Sequence, residues 1–295
     1  MDKHSLLDSP VLSPRLNLRY APVEHLVLRT GYSSGFRAPQ VYDEDLHVGA
    51  VNGELYKITN AAGLRQERSQ SLTASADVCF HIGKMEGDLL VEGFYTSIAD
   101  AFVNELLFDD TTSGYRHYER RNSDGAHVGG LNVDLKLRYS KLAVELGGTL
   151  QRSRYAGRGQ EWDEGKYEVR MERMPDFYGH LTATYSPVKN LDFMAMGTFT
   201  GPMLVYHSVA HDDGDKHSHS TEVEQVVTPS FFDLTLKVGY SVPFGARAAV
   251  DLGVGVQNVF NSFQRDVDSG PDRDASYIYG PTLPRTLFAS VKLSI

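Results

Sequence analysis

Apolar and polar residues alternate with period two in segment after segment of this chain, and helical spacing is nearly absent. From Leu131 to Tyr139 the apolar set is Leu131, Val133, Leu135, Leu137 and Tyr139, with Asn132, Asp134, Lys136 and Arg138 on the opposite side. Leu142, Val144, Leu146, Gly148 and Leu150 repeat the pattern opposite Glu145, Gly147, Thr149 and Gln151. Ala248 to Val256 and Leu287 to Ile295 do the same. Such ribbons predict about eleven strands, with ends good to a few residues. They run over 12–20, 26–34, 68–81, 88–103, 115–138, 141–155, 174–185, 191–204, 230–241, 246–258 and 283–295. The fourth alternates poorly, and the fifth is long enough to hold a break around Asn122 to Gly125.

The connections alternate as well. Short ones fall near 21–25, 82–87, 139–141, 186–190 and 242–246, and long ones near 35–67, 104–114, 156–173, 205–229 and 259–282. Short turns on one side and long loops on the other are the asymmetry of a membrane-spanning β-barrel. Tyr20, Tyr139, Tyr185 and Tyr240 each end a strand just before a short turn. That is where an interfacial aromatic belt belongs, because the ring suits headgroups while the hydroxyl reaches water. The plainer reading is that tyrosine favours strands.

Composition narrows the classes. The 295 residues carry 29 Lys and Arg against 38 Asp and Glu, a net charge of −9, so no uniformly basic nucleic-acid surface is expected. There is no apolar run long enough for a membrane helix, but a barrel strand needs only ~9–11 residues, alternate ones apolar. The opening Met1-Asp2-Lys3-His4 lacks a secretory signal, so the expectation is that a natural N-terminus lies upstream. Cys79 is the single cysteine, which excludes an internal disulfide and a Cys-cluster metal site. No nucleophile elbow, His-Glu-x-x-His or phosphate loop is present, and no enzyme is expected.

Candidate chemistry sits in the loops. His207, His211, His217 and His219 lie among Asp212, Asp213 and Asp215. Imidazole with carboxylate oxygen suits zinc, copper or haem iron, although the spacing matches no fixed ligand motif and a solvated polar loop is the plainer reading. Trp162, with Tyr155 and Tyr167, is placed to stack on an aromatic cargo or to pack its own loop.

Four segments in order resemble the TonB-dependent receptor family. Ser13 to Pro22 resembles its strand-and-turn signature, and Gly31 to Pro39 contains its Phe-Arg-Ala-Pro box as Phe36, Arg37, Ala38 and Pro39. Val256 to Asn261 resembles its Asn-Leu-Phe-Asp element through Asn258, Phe260 and Asn261, and Pro284 to Phe288 the start of its closing strand. The chain departs from the family in ending on Ile295 and not on an aromatic residue, the signal read by the barrel-assembly machinery.

The resemblance implies an all-β, antiparallel transmembrane barrel of about 22 strands, of which residues 13–295 form the C-terminal half and residues 1–12 a lead-in. It further implies an outer membrane of a Gram-negative bacterium, lipid as a partner, an upstream barrel half and plug, and coupling to TonB through that plug. The cargo would be a metal chelate, whether siderophore-bound iron, haem or zinc, with no resident cofactor. In the haem-importing branch a loop histidine resembles His47. Two other readings fit the bare pattern: a passive porin or surface-binding barrel without a plug, and a secreted β-sandwich binding module. An eleven-stranded half has two unpaired edges, so the chain alone is not expected to close into a pore.

Overall fold

The computed structural model describes the chain except residues 1–6, 8, 40–54, 111–114, 164, 213–218, 245–247, 271–272, 275 and 295, with backbone alone at 55–57, 109–110, 115–116, 210–212 and 219–221. In chain order the strands are β1 (Arg15–Val23), β2 (Leu26–Arg37), β3 (Leu55–Asn60), β4 (Glu67–Ile82), β5 (Met85–Ala99), β6 (Phe102–Asp110), β7 (Tyr115–Asn122), β8 (Ala126–Tyr139) and β9 (Leu142–Tyr155). They continue as β10 (Gln160–Asp163), β11 (Lys166–Glu168), β12 (Phe177–Val188), β13 (Leu191–Thr200), β14 (Leu204–Asp212), β15 (His219–Val227), β16 (Phe231–Phe244), β17 (Ala248–Gln257) and β18 (Thr286–Ser294). One sheet of eleven strands runs in the order β1-β2-β4-β5-β8-β9-β12-β13-β16-β17-β18, and every pairing within it is antiparallel. The expected eleven strands are therefore present, and the long fifth one breaks at 123–125 into β7 and β8.

Register joins the alternating rows into two continuous faces. Leu131, Val133, Leu135 and Leu137 lie opposite Leu150, Gly148, Leu146 and Val144, and the row extends through Leu181 and Ala183 on β12 to Ala195 on β13. Among the described residues no second layer covers it: Leu18 is 59% exposed, Leu146 42%, Val254 60% and Leu287 79%. Among the described residues the buried apolar side chains include Val11, Ala38, Ala101, Ala126, Leu204, Val205, Phe231 and Tyr277, all at the long-loop end and none within those rows. A face this large is stable against hydrocarbon and not against water. That argues against the β-sandwich, whose inner faces cover one another.

The other face is polar. Arg29 pairs with Asp77 at 3.1 Å, Lys136 with Glu145 at 3.7 Å, and Thr149 donates to Asn132, which donates to Glu92. The two ion pairs are solvent-accessible, and each contributes roughly 0–1 kcal/mol, so they order the face without driving the fold. Two-residue turns close the short end at 24–25, 83–84, 140–141 and 189–190. Gly83, Ser140 and Asn190 adopt φ of +62, +53 and +68°, the left-handed geometry that matches strand twist across a tight hairpin.

Tyr20, Tyr139, Tyr185 and Tyr240 stand on the apolar face at this end, each about half exposed, with Tyr185 against Phe193 at 6.5 Å. A second aromatic row, not read from the sequence, crosses the same face near the long loops. Tyr95, Phe177, Phe199, Phe232 and Phe260 form it, with Phe177 5.4 Å from Phe199 and Phe232 5.8 Å from Phe260. Eight residues separate Tyr185 from Phe177, ~27 Å of strand, which at a tilt of ~40° gives ~20 Å between rows.

The long loops carry the remaining strands. β10 and β11 form a hairpin, β14 and β15 another, and β3, β7 and β6 a three-stranded sheet in which β3 runs parallel to β7. The stretch expected as a plain loop over 205–229 is mostly the β14–β15 hairpin.

Among the described residues no strand pairs with the outer sides of β1 and β18, and both strands run toward the short-turn end. In lipid vesicles, Val133→Arg on the apolar face is expected to cost about 2–4 kcal/mol, while Thr184→Arg on the polar face costs little. Denaturant titration of the full-length protein in vesicles measures both, and equal costs would contradict the assignment of faces.

Candidate functional site

The long-loop end is where the polar wall, the loop hairpins and the buried residues meet. At the top of β2 the chain leaves the sheet through Phe36, Arg37, Ala38 and Pro39. Phe36 lies on the apolar face opposite Arg68, and Arg37 faces the polar side opposite Glu67, 3.8 Å away. Arg37 lies over the Phe102 ring at 5.7 Å, and the buried Arg120 from β7 comes onto the same ring at 5.9 Å. Ala38 is buried and Pro39 lies beside Leu64, Arg65 and Asp100. Asn122, where the fifth expected strand breaks, latches this corner. Its amide donates to the carbonyls of Arg65 and Asp100, both at 2.8 Å, and its oxygen accepts from Arg65 N at 2.7 Å.

At the end of β17, Asn258 and Asn261 take φ of +51 and +55°, a conformation asparagine tolerates better than most residues. Asn258 is 1% exposed. Its amide donates to the carbonyls of Ser262 at 3.1 Å and Leu283 at 3.0 Å, and its oxygen accepts from Ser262 N at 2.8 Å. Asn261 accepts from Arg285 N, and the Arg285 guanidinium donates to the Val259 carbonyl at 2.8 Å. This motif thus pins both ends of the loop over 258–285. Phe260 remains exposed in the upper aromatic row.

That loop packs on one face of the β14–β15 hairpin. His207 Nε2 contacts Asp268 at 2.9 Å, its ring stacks on Tyr277 at 3.8 Å, and Asp274 accepts from Ser208 N at 3.0 Å. Tyr277 and Tyr279 both donate to Asp266, at 3.1 and 2.6 Å, and Arg173 reaches across to the Ile278 carbonyl at 2.7 Å. The other face of the hairpin meets β10–β11. Trp162 stacks on Tyr206 at 5.7 Å, the Lys166 ammonium lies over the Trp162 ring at 5.1 Å, and Gln225 donates to Glu168 at 3.4 Å. Trp162 is thus a loop-packing residue in this arrangement.

The histidines are spread out. The β14–β15 register places His207 and His211 on one face, four residues and ~13 Å apart, and puts His219 on the other, opposite Asp212. The side chains of His211 and His219, and all of His217 and His47, lie outside the described residues. Among the described residues the grouping with metal-ligand spacing is instead Asp77, Cys79 and Asp88 on the polar face. There Cys79 donates to Asp88 at 3.1 Å and Asp77 is held by Arg29.

Electrostatics assigns the tyrosines a donor role. Burial, then the bond to Asp266, pushes Tyr277 up to about 12, and burial pushes Tyr206 up to about 12. Tyr279 is raised by the same causes as Tyr277. All three stay protonated near neutrality and offer O–H groups, not phenolate ligands. Partial burial pushes the Asp266 carboxyl up, but the bonds from Tyr279, its own backbone, Tyr277 and Gln264 outweigh it and leave the group below its ordinary 3.8. Sequence reading passed over Gln264, Asp266, Asp268, Asp274, Tyr277 and Tyr279; the one signal available was the local alternation of Asp266 with Asp268 and of Tyr277 with Tyr279.

Comparison with known proteins gives the same architecture. The family model described as "TonB dependent receptor-like, beta-barrel" matches residues 3–259. No curated protein matches the chain. Among solved structures, the FrpB iron transporter from Neisseria meningitidis is 17% identical with a TM-score of 0.62, over 96% of this chain and 39% of that one. The siderophore receptor PirA from Acinetobacter baumannii is 15% identical with a TM-score of 0.61, over 96% and 41%. The ferric-catecholate import receptor Fiu from E. coli is 15% identical with a TM-score of 0.63, over 97% and 35%. The chain spans about two fifths of the length of these proteins.

Two outcomes are expected of this loop assembly. Asn258→Ala removes three hydrogen bonds and puts an alanine at positive φ, costing about 2–4 kcal/mol, and hydrogen exchange over 258–285 should quicken while the sheet stays protected. Because the folded pKa of Asp266 is depressed, its contribution is present above pH 3.8 and is lost as pH falls through the lower folded value. Amide protection around Asp266 should therefore drop in acid, and Tyr279→Phe should shrink that pH dependence; an unchanged profile would count against the tyrosine bonds as its cause.

Proposed function

The chain belongs to the TonB-dependent receptor β-barrel family, and we propose that its residues 13–295 form the C-terminal half of a Gram-negative outer-membrane barrel that imports an iron chelate into the periplasm. The observation that carries this reading is the single antiparallel sheet with an uncovered apolar face, a polar opposite face and two edges that run the same way. Lipid covers the apolar face between the two aromatic rows, which serve as interfacial belts. The polar face lines the lumen and meets a plug carried by the rest of the protein, through which TonB acts. An upstream barrel half pairs with β1 and β18, since each backbone group left bare in hydrocarbon costs on the order of several kcal/mol.

Iron as the cargo is supported by three neighbours whose names are iron transporter, siderophore receptor and ferric-catecholate import receptor. The loop assembly on β10–β11, β14–β15 and residues 258–285 is the proposed outer mouth. The exposed Tyr167 and Arg158, 5.6 Å apart at the β10–β11 hairpin, are suited to an aromatic, anionic chelate. The reading assigns no catalytic residue and no resident cofactor.

Cells lacking the full-length gene should grow normally under zinc or cobalamin limitation and poorly when a ferric siderophore is the sole iron source, and radiolabelled iron uptake should return on complementation. Equal uptake with and without the gene across siderophore classes would remove the iron-chelate assignment.

A further inference from the structure

Directly above the apolar row of β9 the outward face changes character. Leu142, Val144, Leu146 and Leu150 are followed on the same side by Arg152 and Arg154, both exposed, while Ser153 is buried and Tyr155 turns to the polar side and donates to Gln160 at 2.9 Å. Strand rise and tilt put the two guanidinium-bearing residues roughly 5 and 10 Å above Leu150. They therefore lie at the outer rim of the hydrocarbon, beside the upper aromatic row.

The register makes this a built row and not a scatter of charges. Arg154 stands opposite His127 on β8 and, through an isolated antiparallel bridge, opposite Arg170 on its other side. Like charges placed directly opposite one another destabilise a sheet. Arg170 is held by Glu168 at 3.1 Å, and His127 accepts or donates to the Tyr95 hydroxyl at 3.0 Å, but Arg152 and Arg154 make no hydrogen bond or ion pair with any described residue. Arg152, Arg154 and Arg170 share a cleft of about 140 Å³ with Met171, Met174 and Val227. Asp176, also at the cleft, is level with Gln151 on the polar-side parity.

We propose that this cleft binds the phosphate-bearing headgroup of an outer-leaflet lipid, with Arg152 and Arg154 gripping the phosphate and Leu150, Phe177 and the cleft methionines lying along the first part of its acyl chains. The proposal rests on the membrane-barrel reading above. Guanidinium suits the task because its planar donors match phosphate oxygens two at a time. An anion there also relieves the repulsion between Arg154 and Arg170, and a basic pocket at the edge of the hydrocarbon is the usual form of a headgroup site.

The test uses the full receptor extracted from membranes in mild detergent and exchanged against bis-phosphorylated lipid A or its dephosphorylated counterpart, with bound lipid counted by native mass spectrometry. The phosphorylated lipid should be retained, the dephosphorylated one not. Arg152→Gln with Arg154→Gln should lower retention about tenfold or more, and Lys at both positions should restore part of it. Equal retention of both lipids, equal retention by the Gln variant, or displacement by inorganic phosphate as tight as the lipid would each overturn the proposal. A spin label at Leu146, with Cys79 replaced by alanine, keeps the two readings apart. Oxygen-accessible label with no selective lipid sinks this inference alone; water-accessible label sinks the barrel reading beneath it.

Discussion

Every inner strand of the main sheet depends on one constraint: its backbone groups are satisfied by the strands on either side. Among the described residues the sheet has no second layer, so its stability does not come from a core in the usual sense. Cross-strand hydrogen bonds and side-chain pairs hold it, and the apolar rows need a hydrocarbon solvent to be at rest. The two-residue turns at one end follow from this, because they carry each strand straight into its partner with no unpaired backbone between. At the other end the chain is free to be long, and there the buried residues and the small accessory sheets collect.

Much of this was legible in the residues because period-two alternation survives wherever one face meets lipid and the other water. It failed where the inner face departs from polarity. On β5, Leu90, Phe94 and Ile98 point to the polar side, and Phe94 is admitted there because Thr73 and the glycine at 130 stand opposite it. The loop strands escaped notice for a different reason. β10, β11, β14 and β15 are packed or wetted on both faces, so their side chains show no two-sided rhythm.

The site was legible only in part. The Phe36 to Pro39 and Asn258 to Asn261 segments stood out, and their geometry explains why such residues are needed: a guanidinium between a carboxylate and a ring, and an amide at positive φ that ties a loop to its own base. The histidines drew attention by number, yet hairpin register divides His207 and His211 from His219. The partners of His207 come from sixty residues further on, a distance that local spacing does not report.

The shared direction of β1 and β18 has a consequence for assembly. Two copies of this sheet set side by side in the same orientation would meet only through parallel seams, whereas every ladder in the sheet is antiparallel. Antiparallel joining of two copies would require one of them to be upside down, with its long loops on the wrong side of the bilayer. Topology therefore screens out self-pairing before any side chain is consulted, and any segment able to join both edges by antiparallel ladders would need border strands that climb where these descend.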